Sequence, residues 1–248
     1  MQIHGLNKTT LLDYPGHVAC TVFTGGCNFR CPFCHNADLV LSAHTLPELS
    51  EEEFFAFIKK RSGILEGVCI TGGEPLLQKD LSDFIRRIRS FSLQVKLDTN
   101  GYLPEKLQEL LDEGLLDYVA MDIKSSRKGY AKAAGLNAGT SGETGAHPAF
   151  DYARIAKSIS LLADAGIPYE FRTTVVKGLH TAEDFDDIAE MIAGCPNYYL
   201  QSYEEKDSVL QLHTGKAYLP FSSFSPEEMR AFATQMNKAG IPTTLRGI

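Results

Sequence analysis

The chain has 248 residues, 44% of them hydrophobic and 22% charged, with a formal net charge of -7. That length suits one sizeable α/β domain and falls a little short of a complete eight-unit barrel, which typically needs about 250 residues. The acidic balance without a basic run argues against nucleic-acid binding, and no stretch is apolar enough to cross a bilayer, so a cytoplasmic location is expected.

Short β-rich runs alternate with amphipathic helical ones, the pattern of βα units around a parallel sheet. The first strand is predicted at Val18 to Thr24, and a loop with three cysteines follows it. Ser50 and Glu53 form a capping-box start to a helix running through Ile58. Then come a strand at Gly67 to Thr71, a helix at Asp80 to Ser90, a strand at Leu93 to Asp98, a helix at Pro104 to Glu113 and a strand at Tyr118 to Ile123. From Ser125 to Pro148 the composition shifts to Gly, Ala, Ser and Lys. A connection that long inside a compact domain carries function, motion or both, or is an ordinary excursion. A helix at Tyr152 to Ala165, a strand at Tyr169 to Val175, a helix at Ala182 to Ala193 and a strand at Tyr198 to Ser202 complete the alternation. The predicted architecture is an open, partial (βα)6 TIM-like barrel in a single α/β domain over residues 1–248. Its core covers about 15–205, and a C-terminal helical extension, about 206–248, holds a helix at Pro226 to Ala239 and an extended tail.

The loop after the first strand reads Gly25-Gly26-Cys27-Asn28-Phe29-Arg30-Cys31-Pro32-Phe33-Cys34-His35-Asn36. A 4Fe-4S cube normally takes four thiolates, so a loop offering Cys27, Cys31 and Cys34 leaves one iron open to another ligand. Zinc is the alternative, but structural zinc sites are closed and commonly built from paired knuckles, and the sequence holds no second knuckle. Cys20, Cys69 and Cys195 stand alone, the first two inside apolar runs that suit small buried hydrophobes. Three leftover cysteines cannot build a second four-cysteine cluster. His35 adjoins Cys34 too closely to share coordination, so a positional role is expected.

In barrels of this kind the active site forms at the carboxyl ends of the strands. Gly72, Gly73 and Glu74 follow the second predicted strand; the glycines admit close backbone approach, and a carboxylate suits an ammonium group. Asp98, Thr99 and Asp122 offer hard oxygens for a cation or for ribose hydroxyls. Lys124 and Arg172 suit a carboxylate, Arg with a planar fork. Plain alternatives are a turn, solubility at strand ends and surface ion pairs.

These motifs resemble the radical S-adenosylmethionine (SAM) enzymes, whose CxxxCxxC signature the cysteine loop matches; the aromatic Phe33 stands where that family packs a ring near the adenine. With Leu12-Asp13-Tyr14-Pro15-Gly16 upstream and Cys34-His35-Asn36 downstream, the chain is similar to the activating enzymes of glycyl-radical proteins. Within them it resembles the anaerobic ribonucleoside-triphosphate reductase activating proteins. The resemblance implies a six-unit partial barrel, one 4Fe-4S cluster on Cys27, Cys31 and Cys34, and SAM bound at the open iron with Gly72, Gly73 and Glu74 at its amino group. It also implies a monovalent cation among Asp98, Thr99 and Asp122 beside the SAM carboxylate, as in pyruvate formate-lyase activating enzymes.

The activity implied is that of an oxidoreductase. Reductive cleavage of SAM yields methionine and a 5'-deoxyadenosyl radical equivalent, which takes the α hydrogen of a glycine in a partner, anaerobic ribonucleoside-triphosphate reductase. A flavodoxin or ferredoxin is the expected electron donor. Asp13 reads either as a residue placing the incoming glycine loop or as part of a turn, and the 125–148 segment as a docking element or a plain excursion. The sixth predicted strand ends Leu200-Gln201-Ser202 without the histidine of the pyruvate formate-lyase activators, which tilts the substrate away from that subfamily. Other readings are activation of another glycyl-radical enzyme such as pyruvate formate-lyase, radical chemistry on a small molecule, or a non-enzymatic structural or electron-carrier protein. A carrier would have no need of the Gly72 to Pro75 run and the acidic strand ends.

Overall fold

The computed structural model describes residues 1–136, 149–204 and 221–248. Among these, eight strands form a single sheet in sequence order. They are β1 (Ile3–Thr10), β2 (Ala19–Thr24), β3 (Gly67–Gly72), β4 (Gln94–Thr99), β5 (Tyr118–Asp122), β6 (Tyr169–Val175), β7 (Tyr198–Ser202) and β8 (Thr243–Arg246). β1 pairs antiparallel with β2, and every later pairing is parallel. The helices are α1 (Ala37–Leu41), α2 (Glu51–Lys60), α3 (Leu81–Arg89), α4 (Pro104–Asp112), α5 (Tyr130–Ala133), α6 (Tyr152–Asp164), α7 (Ala182–Met191) and α8 (Pro226–Lys238).

Local sequence explains the elements. α2 starts at the capping box, with Glu53 N donating to Ser50 Oγ at 3.2 Å and Ser50 N donating to Glu53 Oε2 at 3.0 Å. α3 buries Leu81, Phe84, Ile85 and Ile88, one stripe at helical spacing, and turns Arg86, Arg87 and Arg89 away. Val22, Ile70, Leu97, Val119 and Tyr169 lie in one row across β2 to β6 and are buried.

Side chains alternate along a strand, so the residues between these apolar positions share the other face. On β4 these are Lys96 and Asp98, and on β6 Glu170 and Arg172. Arg172 contacts Asp98 over the intervening β5, and both line the cavity at the strand ends, which marks this as the inner face. The interior is therefore charged where it meets the strand ends, and the apolar layer lies outside, beneath the helices.

The six predicted strands are present, and two more flank them. β1 was not expected; its ladder with β2 is broken by irregularities between Ile3 and Gly5 and between Asn7 and Thr10, which mask the alternation. The predicted extended tail is β8, hydrogen-bonded to β7 from Tyr198↔Thr243 to Gln201↔Arg246, and α8 packs between them and α7. The C-terminal segment thus belongs to the barrel sheet. The predicted connection over 125–148 contains α5, whose Tyr130, Ala131 and Ala133 are buried. The rest of that expectation, residues 137–148, and part of the C-terminal extension, residues 206–220, lie outside the described residues. No described helix is long and apolar enough to cross a membrane.

Candidate active site

The cysteine loop leaves β2 and is stitched to its neighbours by backbone. Gly73 N donates to Thr24 O at 2.9 Å, Glu74 N to Gly26 O at 2.8 Å and Arg30 N to Ala134 O at 2.9 Å. Two glycines make this packing possible: a Cβ on Gly73 would sit 1.9 Å from Gly26 O, and one on Gly135, at φ +67, would sit 1.9 Å from Arg30 O. The loop so held places Cys27, Cys31 and Cys34 in the wall of a cavity of about 330 Å³ at the carboxyl ends of the strands. Phe33, Gly72, Gly73, Asp98, Thr99, Asp122, Lys124 and Arg172 line the same cavity, so nearly all the residues singled out from the sequence converge there.

The donor set suits a cluster. Burial pushes the Cys27 and Cys31 thiols up to about 12, so without metal they hold their protons, and loading iron releases them. Phe29 N donates to Cys27 Sγ at 3.4 Å. Asn28 Oδ1 accepts from Asn100 Nδ2 at 2.7 Å, while the buried Asn28 Nδ2 has no hydrogen-bond partner among the described residues. A donor left over beside Cys27 is what a cluster sulfur would satisfy. Among the described residues no three His, Cys, Asp or Glu side chains converge as one ion requires; in a cubane each thiolate takes a different iron. His35 Nε2 donates to Glu204 O at 2.6 Å, and its ring lies 5.7 Å from that of Tyr203.

Beside the cysteines lies a chain of charges. Lys96 Nζ contacts Asp98 Oδ1, and Arg172 spans the aspartates, Nη1 to Asp98 Oδ2 at 3.1 Å and Nε to Asp122 Oδ1 at 3.0 Å. Lys124 Nζ reaches Asp122 Oδ2 at 2.9 Å. Burial pushes the aspartates up, but Arg172 and the lysines override it, lowering Asp98 and holding Asp122 at about 2. Lys124 also draws the Cys31 thiol down, against burial.

Three groups expected at the site are placed differently from the rest. Glu74 does not face the cavity: it is 1% exposed, and its carboxylate accepts from Leu76 N at 3.1 Å, Thr99 Oγ1 at 2.8 Å and Asn100 N at 2.7 Å. Asp13 accepts from Thr21 Oγ1 at 2.5 Å and lines a second cavity, of about 490 Å³, that shares Asp98, Arg172 and Gln201 with the first. The monovalent cation expected among Asp98, Thr99 and Asp122 finds its oxygens taken: every carboxylate oxygen already meets a protein cation, and the Thr99 hydroxyl serves Glu74 and accepts from Gly101 N at 3.1 Å.

The sequence reading assigned no site role to Lys96, Asn100, Gln201 or His180. Lys96 has a signal, a charge between Val95 and Leu97 two residues before Asp98 and so on its face of the strand. Gln201 lines both cavities from the end of β7. His180 is buried; Val176 N donates to its Nδ1 at 3.0 Å, so its Nε2 carries the proton and donates to Lys124 O at 2.9 Å.

The sequence profile of the radical SAM superfamily matches residues 21–192. The chain belongs to this superfamily. Membership implies a 4Fe-4S cluster and SAM, and the residues around the cavity fit both. A Methanocaldococcus jannaschii protein assigned as a glycyl-radical enzyme activating enzyme is 32% identical over 210 residues, 83% of this chain and 81% of that one. A Pyrococcus abyssi protein assigned as a GTP 3',8-cyclase is 31% identical over 183 residues, 73% of this chain and 54% of its own length. The solved structure of a radical SAM methyltransferase from Sphaerobacter thermophilus shares the fold, with a TM-score of 0.69 at 17% identity over 94% of this chain and 67% of that one.

Proposed function

We propose that this radical SAM enzyme activates a glycyl-radical enzyme, and that its partner is an anaerobic ribonucleoside-triphosphate reductase. The observation that carries the reading is the cavity in which Cys27, Cys31 and Cys34 face Lys124 and Arg172 across a space open to a ligand. The match to the archaeal activating enzyme, which extends over most of both chains, supports the choice of activity.

Cys27, Cys31 and Cys34 would hold the cluster, which supplies the electron that breaks a carbon-sulfur bond of SAM and yields a 5'-deoxyadenosyl radical. Backbone groups of Gly72 and Gly73 receive the SAM amino group, and Lys124 with the free face of the Arg172 guanidinium receives its carboxylate. Phe33 offers its ring to the adenine. Asp98 and Asp122 hold these cations in place. Cys20, Cys69 and Cys195 are each buried and are too few for a second four-cysteine cluster, so the electron comes from outside, from a flavodoxin or ferredoxin, in a reducing cytoplasm.

The test is 5'-deoxyadenosine release by anaerobically reconstituted protein given SAM and dithionite, with Cys31→Ala as control, followed by electron paramagnetic resonance after adding the reductase. Release by the native protein alone and a new glycyl signal are expected; no release at full iron load overturns the reading. The cyclase match favours a second reading, a small-molecule substrate. Consumption of GTP without a glycyl signal would establish it instead.

A further inference from the structure

Lys96 is 2% exposed, between Val95 and Leu97 in the middle of β4. An ammonium group is removed from water at high cost unless it is paired, and the groups about its Nζ are Asp98 Oδ1, Cys69 Sγ at 3.8 Å and the Tyr118 ring at 5.9 Å. Its charge therefore serves Asp98. With it, three cations, Lys96, Arg172 and Lys124, meet two carboxylates, Asp98 and Asp122. The set carries a net charge of about +1 toward the cavity, which suits a ligand carboxylate and repels a further cation.

We propose that Lys96 is a built-in replacement for a monovalent cation: a positioning residue that neutralises Asp98 from below, so that Arg172 and Lys124 keep their charge for the ligand and the site binds no alkali metal ion. The part concerning SAM rests on the function proposed above; the part concerning the cation rests only on the five side chains. The second cavity, of about 490 Å³, is lined by Lys96, Asp98 and Arg172 on the side away from the cysteines. Shortening Lys96 would therefore expose Asp98 Oδ1 to a space that small cations can enter.

The experiment compares native protein, Lys96→Met and Lys96→Ala in chloride salts of tetramethylammonium, sodium, potassium and methylammonium at equal ionic strength. Thermal unfolding is followed on the metal-free full chain, and SAM affinity on the reconstituted chain. Native protein should show the same Tm and SAM affinity in all four salts. Lys96→Met should lose SAM affinity on the order of tenfold, as one buried charge near a carboxylate ligand disappears. Lys96→Ala should lose both stability and affinity in tetramethylammonium and regain both in a smaller cation, methylammonium most directly.

Stabilisation of native protein by sodium or potassium over tetramethylammonium overturns the proposal. So does a Lys96→Met variant with native SAM affinity, or a Lys96→Ala variant that no cation rescues, whether it stays weak-binding or unfolded in every salt. Failure of the function proposed above would appear separately, as no 5'-deoxyadenosine from native protein, and would leave the metal-free unfolding comparison intact.

Discussion

Glu74 sits where three backbone and side-chain donors converge, and burial outweighs them, pushing its carboxyl up to about 7. An unfolded glutamate titrates near about 4.3. Between those values the native chain holds a proton that the unfolded chain has released, so this group's contribution to stability falls as pH rises from about 4.3 to 7. His180 acts in the opposite sense: burial lowers its pKa, the unfolded ring protonates first, and stability is lost as pH falls below about 6.5. The two slopes overlap in the native protein, and Glu74→Gln separates them. Because the amide cannot accept from all three donors, the variant should be about 1–3 kcal/mol less stable at low pH. The native-minus-variant difference should shrink up to about pH 7 and then level, measured by urea unfolding across pH; a difference independent of pH would contradict the buried titration. Residue types were legible at this scale and their aim was not. Gly72 and Gly73 line the cavity, yet the turn at Pro75–Leu77 and the end of β4 claim the Glu74 carboxylate. Lys96 escaped notice because a single charge in an apolar strand says nothing about its partner until β6 brings Arg172 beside Asp98.

The cysteine loop depends on elements that its own sequence does not reveal. α5 is four residues long, too short for a period to show, and its stability comes from the burial of Tyr130. A segment rich in Gly, Ala, Ser and Lys therefore read as a docking element or a plain excursion and not as a support of the cysteine loop, although its Gly135 lies against Arg30 in the middle of that loop. β1 was missed because its register is irregular, and β8, four residues long, was expected only as an extended tail without a place in the sheet. The contact at Gly135 is testable against Gly16, which shares a positive φ, +79, but has open space where a Cβ would stand. Gly16→Ala should cost about 1–2 kcal/mol through the left-handed conformation alone. Gly135→Ala adds a collision with Arg30 O, so it should cost more and retain less iron after reconstitution. Thermal unfolding and iron per chain measure both, and equal iron retention in the two variants would remove α5 from the support of the loop.

At the scale of the whole molecule, the barrel departs from the usual arrangement in which branched apolar side chains fill the interior. Here an ionic chain from Lys96 through Asp98, Arg172 and Asp122 to Lys124 joins β4, β5, β6 and the cavity wall, while Glu170 on the same face holds Arg246 of β8 at 3.2 Å. Buried charges of this kind add little net stability against an apolar core, but removing one member leaves another charged and unpaired. Arg172 is the member with partners on two other strands, so Arg172→Met should destabilise the fold by about 3–5 kcal/mol, well beyond the loss of packing. The pH dependence follows from the same geometry. Asp98 and Asp122 are depressed by Arg172 and the lysines, so the stability they contribute is present above about 3.9, the unfolded carboxyl value, and is lost as pH falls toward about 2, where Asp122 titrates. Without Arg172 the aspartates protonate more readily, and this acid-dependent loss should begin at higher pH. Urea midpoints of native protein and Arg172→Met from pH 8 down to pH 2 test both claims. A variant that is weaker by the same amount at every pH would mean that the guanidinium packs the interior without holding the carboxylates charged. The fold would then stand independently of the electrostatics that shape its cavity.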